Sequence, residues 1–259
     1  MPIEKCKLCG SPIRVIYRED GSSDHYEPVP NREMHNIPNP IPPALQDYLR
    51  IKRRGKRTLA ITGAAWTTGP WAPFDDPEVD IWAENELHGV SWCKEERINK
   101  WFQLHPKWCF EREHPYNHRE WMEMEHPFDI YTQQKFDSVP NSTPFPLREV
   151  QGLIRLEHGE TTYSKIFTST FCYQLSLALL DDRYQRIECY GIEMTMEGEY
   201  GYQREAFAYW LGKADGMGKE IWIPEQCSLF ISPLYGYEQI RKGDTGEMVT
   251  EETCQIGFL

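Results

Sequence analysis

Between residues 58 and 224 the chain sets short apolar runs at intervals, each followed by a turn or by a stretch with helical spacing. TLAIT, VDIWAEN, KWFQLHP, FDIYTQ, RIECYG and EIWIP are rich in β-branched and aromatic residues and too short to be helices, so each reads as a strand. PALQDYLRIK before the first of them, and HREWMEME and YQREAFAYWLGKADGMG between them, carry helical apolar spacing, STPFPLREVQGLI reads as a loop entering a short helix, and a helix is expected over 171–180. Strands that alternate with helices predict an α/β fold with a mostly parallel sheet and helices on both faces. Ligands of such sheets sit beyond the C-terminal strand ends.

Four segments follow from this pattern: a small Cys-containing head over 1–30, a connector over 31–57 with Pro and Asn, one helix and a basic run, the α/β domain over 58–240, and a tail over 241–259. A length of 259 residues accommodates one large α/β domain with a small appendage. No stretch reaches the ~20 apolar residues of a membrane span, and MPIEKCKLCG lacks the apolar core of a signal peptide. The eight cysteines are scattered through apolar contexts such as SWCKE and IECYG, which predicts reduced core thiols in a cytoplasmic protein with no membrane partner.

Charge narrows the partners. Residues 1–57 hold 11 basic and 7 acidic side chains, which leaves 17 basic and 33 acidic ones in the remainder of a chain whose net charge is −12. A body this acidic repels a phosphate backbone over a broad surface, so extended duplex nucleic acid is not an expected partner. The basic run at 52–57 reads first as a solvated linker. A small phosphorylated ligand remains compatible, because a few backbone amides hold a phosphate whatever the net charge.

The strand-end rule picks out the polar groups that follow each run: Gly63, Ala64, Thr67 and Thr68 after the first, Asn85 and Glu86 after the second, His105 after the third and Glu193 after RIECYG. Thr168, Ser169 and Thr170 stand at the start of the 171–180 helix, where hydroxyls and first-turn amides suit a phosphate. A single N-cap needs only one of the three. A proton-abstracting group would come from His105, Glu86 and Glu193, each of which also has an ordinary structural use as a strand-end cap, a surface ion pair or an amide partner.

The ordered set LAITG, VDIWAENEL, KWFQLHP, FTSTFCYQLSLAL and RIECYGIEM with YGYQRE resembles the Rossmann-like superfamily that contains the archaeal hydroxymethylpterin diphosphokinases and the bacterial CMP-dependent sialyltransferases. It also resembles a set of phage-encoded proteins, which implies a phage gene and the host cytoplasm. The resemblance covers roughly 58–225 as short motifs in order. It implies a nucleotide or nucleotide-sugar ligand, with Gly63 in the nucleotide loop, Asn85 beside the nucleoside, and Thr168 to Thr170 around base, sugar or phosphate. Gly191 and Glu193 then stand in the G-[IV]-D motif, and Tyr200 or Tyr202 holds the leaving phosphate. The chain departs from the pattern in three places. Gly63-Ala64-Ala65-Trp66-Thr67 replaces G-x-G-P-S, Thr195 occupies the first tyrosine position, and no histidine follows His158 to act as the late catalytic base of the sialyltransferases.

Two metal sites are suggested by composition. Cys6 and Cys9 have knuckle spacing in CKLCG, with His25 and His35 as the nearest further ligands and Asp24 as another, so the head is either a small zinc knuckle or a metal-free pair. Diphosphate transfer would bring Mg²⁺, with Asp75, Asp76 or Glu193 as ligands. The His- and Glu-rich stretch with His114, His118 and His126 matches no zinc spacing and reads as a solvated helix with its loop. Trp66, Trp71, Trp82, Tyr235 and Tyr237 are candidates for stacking on a base, against an ordinary core role. The leading functional expectation is a nucleotide-dependent group transferase. A non-catalytic nucleotide-binding or nucleotide-sequestering protein stands second, and an adaptor working through the Cys head third.

Overall fold

The structure is a computed structural model that describes residues 40–111, 116–155, 166–194, 200–227 and 229, together with the backbone of three short N-terminal strands. Those strands, β1 (Ile3–Lys5), β2 (Pro12–Tyr17) and β3 (Ser23–Pro28), form an antiparallel sheet in the order β1-β2-β3. Cys6, Cys9 and His35 of the expected zinc site lie outside the described residues, and His25 is placed only as backbone on β3. Tyr235 and Tyr237 also lie outside them.

The body is built on seven strands: β4 (Thr58–Thr62), β5 (Val79–Glu84), β6 (Ile98–Phe102), β7 (Asp129–Thr132), β8 (Ser142–Pro144), β9 (Arg186–Tyr190) and β10 (Glu220–Trp222). Their order is β10-β9-β4-β5-β6-β7-β8, and every pairing is parallel. Parallel strands buried on both faces need continuous apolar runs, and β4, β5 and β9 are buried at every position. Leu59, Ile61, Trp82, Phe102, Ile187 and Cys189 point to one face. There they pack under α4 (Leu147–Gln151), α5 (Thr170–Leu180) and α6 (Tyr200–Gly216). Ala60, Ile81, Ala83, Trp101 and Ile130 point to the other face, toward α1 (Pro43–Arg53), α2 (Lys107–Glu111) and α3 (His118–Met122). This is an α/β, Rossmann-like architecture with helices on both faces.

The basic run of 52–57 is bound to this body instead of being a solvated linker. Arg53 donates to both carboxylate oxygens of Glu188 and to the Tyr190 hydroxyl, Lys56 pairs with Glu220 at 2.6 Å, and Arg57 pairs with Asp80 at 2.6 Å. Glu188 is fully buried on β9 and also receives Arg186 at 2.7 Å, so α1 is docked through an internal ionic cluster. Each guanidinium and the carboxylate lose water on burial, and the shared hydrogen bonds are what offset that loss.

Candidate functional site

β4 is the strand at which the order of the sheet reverses, with β5 to β8 on one side and β9 and β10 on the other. Loops leaving β4 and β9 therefore diverge to opposite sides, and the crevice between them is the expected ligand position. Here the two loops are bound together at their base. The Gly63 amide donates to the Tyr190 carbonyl at 2.8 Å, Ala65 to the Gly191 carbonyl at 3.0 Å, and the Gly191 amide to the Thr68 hydroxyl at 2.9 Å. Thr68 is buried, Ala64 is exposed, and the exposed Thr67 hydroxyl donates to Glu193. A Cβ on Gly63 would lie 2.6 Å from the Phe171 ring of α5, so this glycine also sets how closely the loop approaches that helix.

On the other side of β4, the end of β5 meets the start of α5. Asn85 turns the chain with φ +47°, its amide donating to Phe102 at 2.9 Å and its carbonyl accepting the Trp101 indole N–H at 3.0 Å. The preceding Glu84 is buried and faces α5, where the Thr170 hydroxyl sits against its carboxyl. Gln174, one turn further along α5, donates its amide to the Ala83 carbonyl at 3.3 Å. The three hydroxyls of the expected phosphate wall have distinct uses. Ser169 is the N-cap residue yet caps nothing with its side chain, its hydroxyl meeting the Cys172 thiol at 3.3 Å. Thr170 serves Glu84, and the Thr168 hydroxyl lies beside that same thiol.

At the end of β5 and the first turns of α5, four buried polar atoms have no hydrogen-bond partner among the described residues: Glu84 Oε2, Asn85 Oδ1, Thr168 Oγ1 and Gln174 Oε1, with Trp82 Nε1 a fifth, further back on β5. Buried polar atoms are nearly always paired, so a local group of four is a specific demand for a ligand or water. Three of the four are carbonyl or carboxyl oxygens. The Gln174 orientation is dictated by its bond to a carbonyl, which only the amide N–H can make. Burial raises the Glu84 carboxyl well above the ordinary carboxylate range, the nearby Glu86 charge adds to that, and the Thr170 hydroxyl opposes it.

At the end of β6, His105 is exposed and its ring and backbone amide both address Gln103 Oε1, at 3.1 and 3.4 Å. The buried Gln103 continues to His118, and His118 Nδ1 meets His88 Nε2 at 2.9 Å. His118 is fully buried, so the His- and Glu-rich stretch is not simply a solvated helix. His88 stacks on Trp121 with ring centroids 4.4 Å apart. His126 hydrogen-bonds the Trp121 carbonyl at 2.7 Å.

The candidates therefore fall into separate groups. Gly63, Thr67, Thr68, Gly191 and Glu193 are joined at the β4 and β9 ends, while Asn85, Thr168, Ser169 and Thr170 belong with Glu84 at the β5 end. Glu86 is near enough to Glu84 for its charge to act on it. Tyr202 lies on α6, placed as backbone. With neighbouring strands ~4.8 Å apart, β9 and β6 are about 14 Å from each other, so Glu193 and His105 leave the sheet from strand ends three positions apart. Asp75 pairs with Lys94 at 2.5 Å, and Asp76 bonds the Glu78 amide at 3.1 Å and approaches Arg53, so both have local uses. Among the described residues no group of three or more His, Cys, Asp or Glu could hold a metal ion. Trp71 and Trp82 are core residues and Trp66 packs edge-on to Trp92. No helix among the described residues is long and apolar enough to cross a membrane.

An open cleft of about 310 Å³ lies elsewhere, lined by Trp82, Lys100, Tyr131 and the C-terminal end of α5 with Asp181 and Asp182. Sequence reasoning passed over Glu84, Gln174, Gln103 and His88. The signal for Glu84 was a carboxylate closing an otherwise apolar buried strand, immediately before the asparagine that was selected. No family model, no curated protein and no solved structure matches the chain.

Proposed function

We propose that the edge formed by the ends of β4, β5 and β9 and the start of α5 holds a nucleotide or nucleotide sugar, and that the protein transfers a glycosyl, phosphoryl or diphosphoryl group from it to an acceptor hydroxyl. The observation that carries this reading is the group of unpartnered buried atoms on Glu84, Asn85, Thr168 and Gln174 at the C-terminal edge of a parallel sheet. The Asn85 and Gln174 carbonyl oxygens suit the amino and hydroxyl groups of a nucleoside, and a protonated Glu84 adds a donor. The α5 N-terminus, without a side-chain cap, and the Thr67 hydroxyl suit the phosphate. In the transfer, the acceptor O–H gives its proton to a base and its oxygen bonds the transferred carbon or phosphorus. The bond from that atom to the nucleotide's phosphate oxygen breaks, and the nucleotide leaves with the electron pair.

The separation of His105 from Glu193 favours a second reading, a protein that binds and sequesters a nucleotide without turning it over. One experiment distinguishes them: a thermal-shift screen against nucleotides and nucleotide sugars, followed by product analysis for each ligand that stabilises. Stabilisation that is lost in Thr168→Ala/Ser169→Ala, with product formed, supports transfer. Stabilisation without product selects sequestration, and no stabilisation by any nucleotide rejects both.

A further inference from the structure

The hydrogen bonds at the end of β6 fix the proton positions on three histidines. The backbone N–H of His105 is always a donor, and it faces Gln103 Oε1, so that atom must be the carbonyl oxygen of the side chain and not its NH₂ group. The His105 ring nitrogen facing the same oxygen, Nδ1 at 3.1 Å, must then also carry a proton. In neutral His105 the lone pair is left on Nε2, and the ring is exposed. The NH₂ group of Gln103 is directed at His118 Nε2, which must accept, so His118 carries its proton on Nδ1 and donates it to His88 Nε2. His88 in turn carries its proton on Nδ1. Stacking of His88 on Trp121, with ring planes 4° apart, and the full burial of His118 hold both rings in the plane this chain requires.

We infer that Gln103 is a positioning residue that presents Nε2 of His105 as a proton acceptor at the sheet edge, with His118 and His88 holding the Gln103 amide in its orientation. This rests on the reading of that edge as the reacting edge. The Nδ1–H form is the less favoured tautomer of a free histidine, so its occupation reports the positioning directly. The pattern has the logic of a carboxylate that orients a catalytic imidazole, with an amide carbonyl in the carboxylate's place.

The test is long-range ¹H–¹⁵N correlation on the full chain at about pH 8.5, above the ordinary histidine range, with His105→Gln to assign the signals. The expected result is His105 mainly with Nδ1 protonated and Nε2 bare, the tautomer ratio shifted toward that form by about tenfold relative to free histidine, which is what one well-made hydrogen bond provides. Gln103→Leu, or Gln103→Met should the first variant fold poorly, is expected to return His105 to the Nε2–H form. A wild-type His105 in the Nε2–H form, or a tautomer unchanged by loss of Gln103, overturns the inference. A thermal-shift assay on the same wild-type sample separates the two readings: failure of every nucleotide to bind removes the base role together with the site, whereas an Nε2–H tautomer removes the role of Gln103 alone.

Discussion

Gly191 and Gly63 meet backbone against backbone where the sheet order reverses: a Cβ on Gly191 would lie 2.1 Å from the Gly63 carbonyl oxygen, and Gly191 has φ +64°. Gly191→Ala therefore meets both a left-handed backbone penalty and a contact with main chain that cannot rotate away. The expected loss is on the order of 2–4 kcal/mol in urea denaturation. At Gly218, also left-handed at φ +77° but with nothing within 4 Å of a Cβ, alanine is expected to cost only the backbone penalty, about 1 kcal/mol. Equal losses at the two sites would show that the close approach does not matter.

Glu188 is fully buried and receives Arg53, Arg186 and the Tyr190 hydroxyl. Glu188→Ala leaves two guanidinium groups without their common carboxylate and is expected to cost about 3–5 kcal/mol. Adding Arg53→Met removes one stranded charge, and Arg186 retains Glu220 at 3.2 Å, so the double variant is expected to be more stable than Glu188→Ala alone. Denaturation midpoints of the three proteins check this. A double variant no better than the single one would mean that α1 is held by its apolar face and not by the ionic cluster.

Six of the seven parallel strands were legible in the sequence: β4, β5 and β9 because burial on both faces forces an apolar run, and β6, β7 and β10 because aromatic and β-branched residues still cluster in short runs. β8 was not, since Ser142–Pro144 is a three-residue edge strand whose last residue is a proline, and short edge pairing leaves no periodic trace. The strand-end positions of the candidate residues were legible because topology places such residues at one edge, but their division into a β4–β9 group and a β5–α5 group was not. Glu84 and Gln174 were not, since a buried carboxyl and a buried amide look like any other polar residue until the strand and helix that enclose them are placed. His118 was misread for the same reason. A histidine in a run of charged residues signals exposure, and only the packing of α3 against Trp101 and His88 shows it to be internal.

Burial raises the Glu84 carboxyl well above its ordinary value of 4.5, so the folded protein holds that proton at a pH where the unfolded chain has released it. Its contribution to stability is fully present below about pH 4.5 and is lost as pH rises from there through the folded-state value. Glu84→Gln cannot ionise and does not undergo this loss. The variant is therefore expected to gain stability relative to wild type as pH rises from 4 to 8, by urea midpoints measured at each pH. A constant difference across that range would show that Glu84 titrates normally, and with it that the β5 end is open to water.

Thr168 Oγ1 is buried beside the Cys172 thiol, so its removal is expected to weaken ligand binding while leaving the stability of the free protein little changed. Thr168→Val keeps the shape and replaces a poorly satisfied hydroxyl with a methyl group. Such a change is neutral or stabilising in the free protein, within about 1 kcal/mol. If the hydroxyl serves a nucleotide, the same variant binds it about tenfold more weakly, the effect of one lost hydrogen bond of roughly 1.4 kcal/mol. Asn85→Gly provides the companion test at the other wall. Glycine accepts the φ of +47° without strain and removes only the amide side chain, whereas alanine would confound binding with backbone cost. Titration calorimetry with whichever nucleotide stabilises the wild type, beside denaturation of both free variants, gives the two readouts. Weakened binding with unchanged stability places these side chains on the ligand, and destabilisation with unchanged affinity assigns them to the fold.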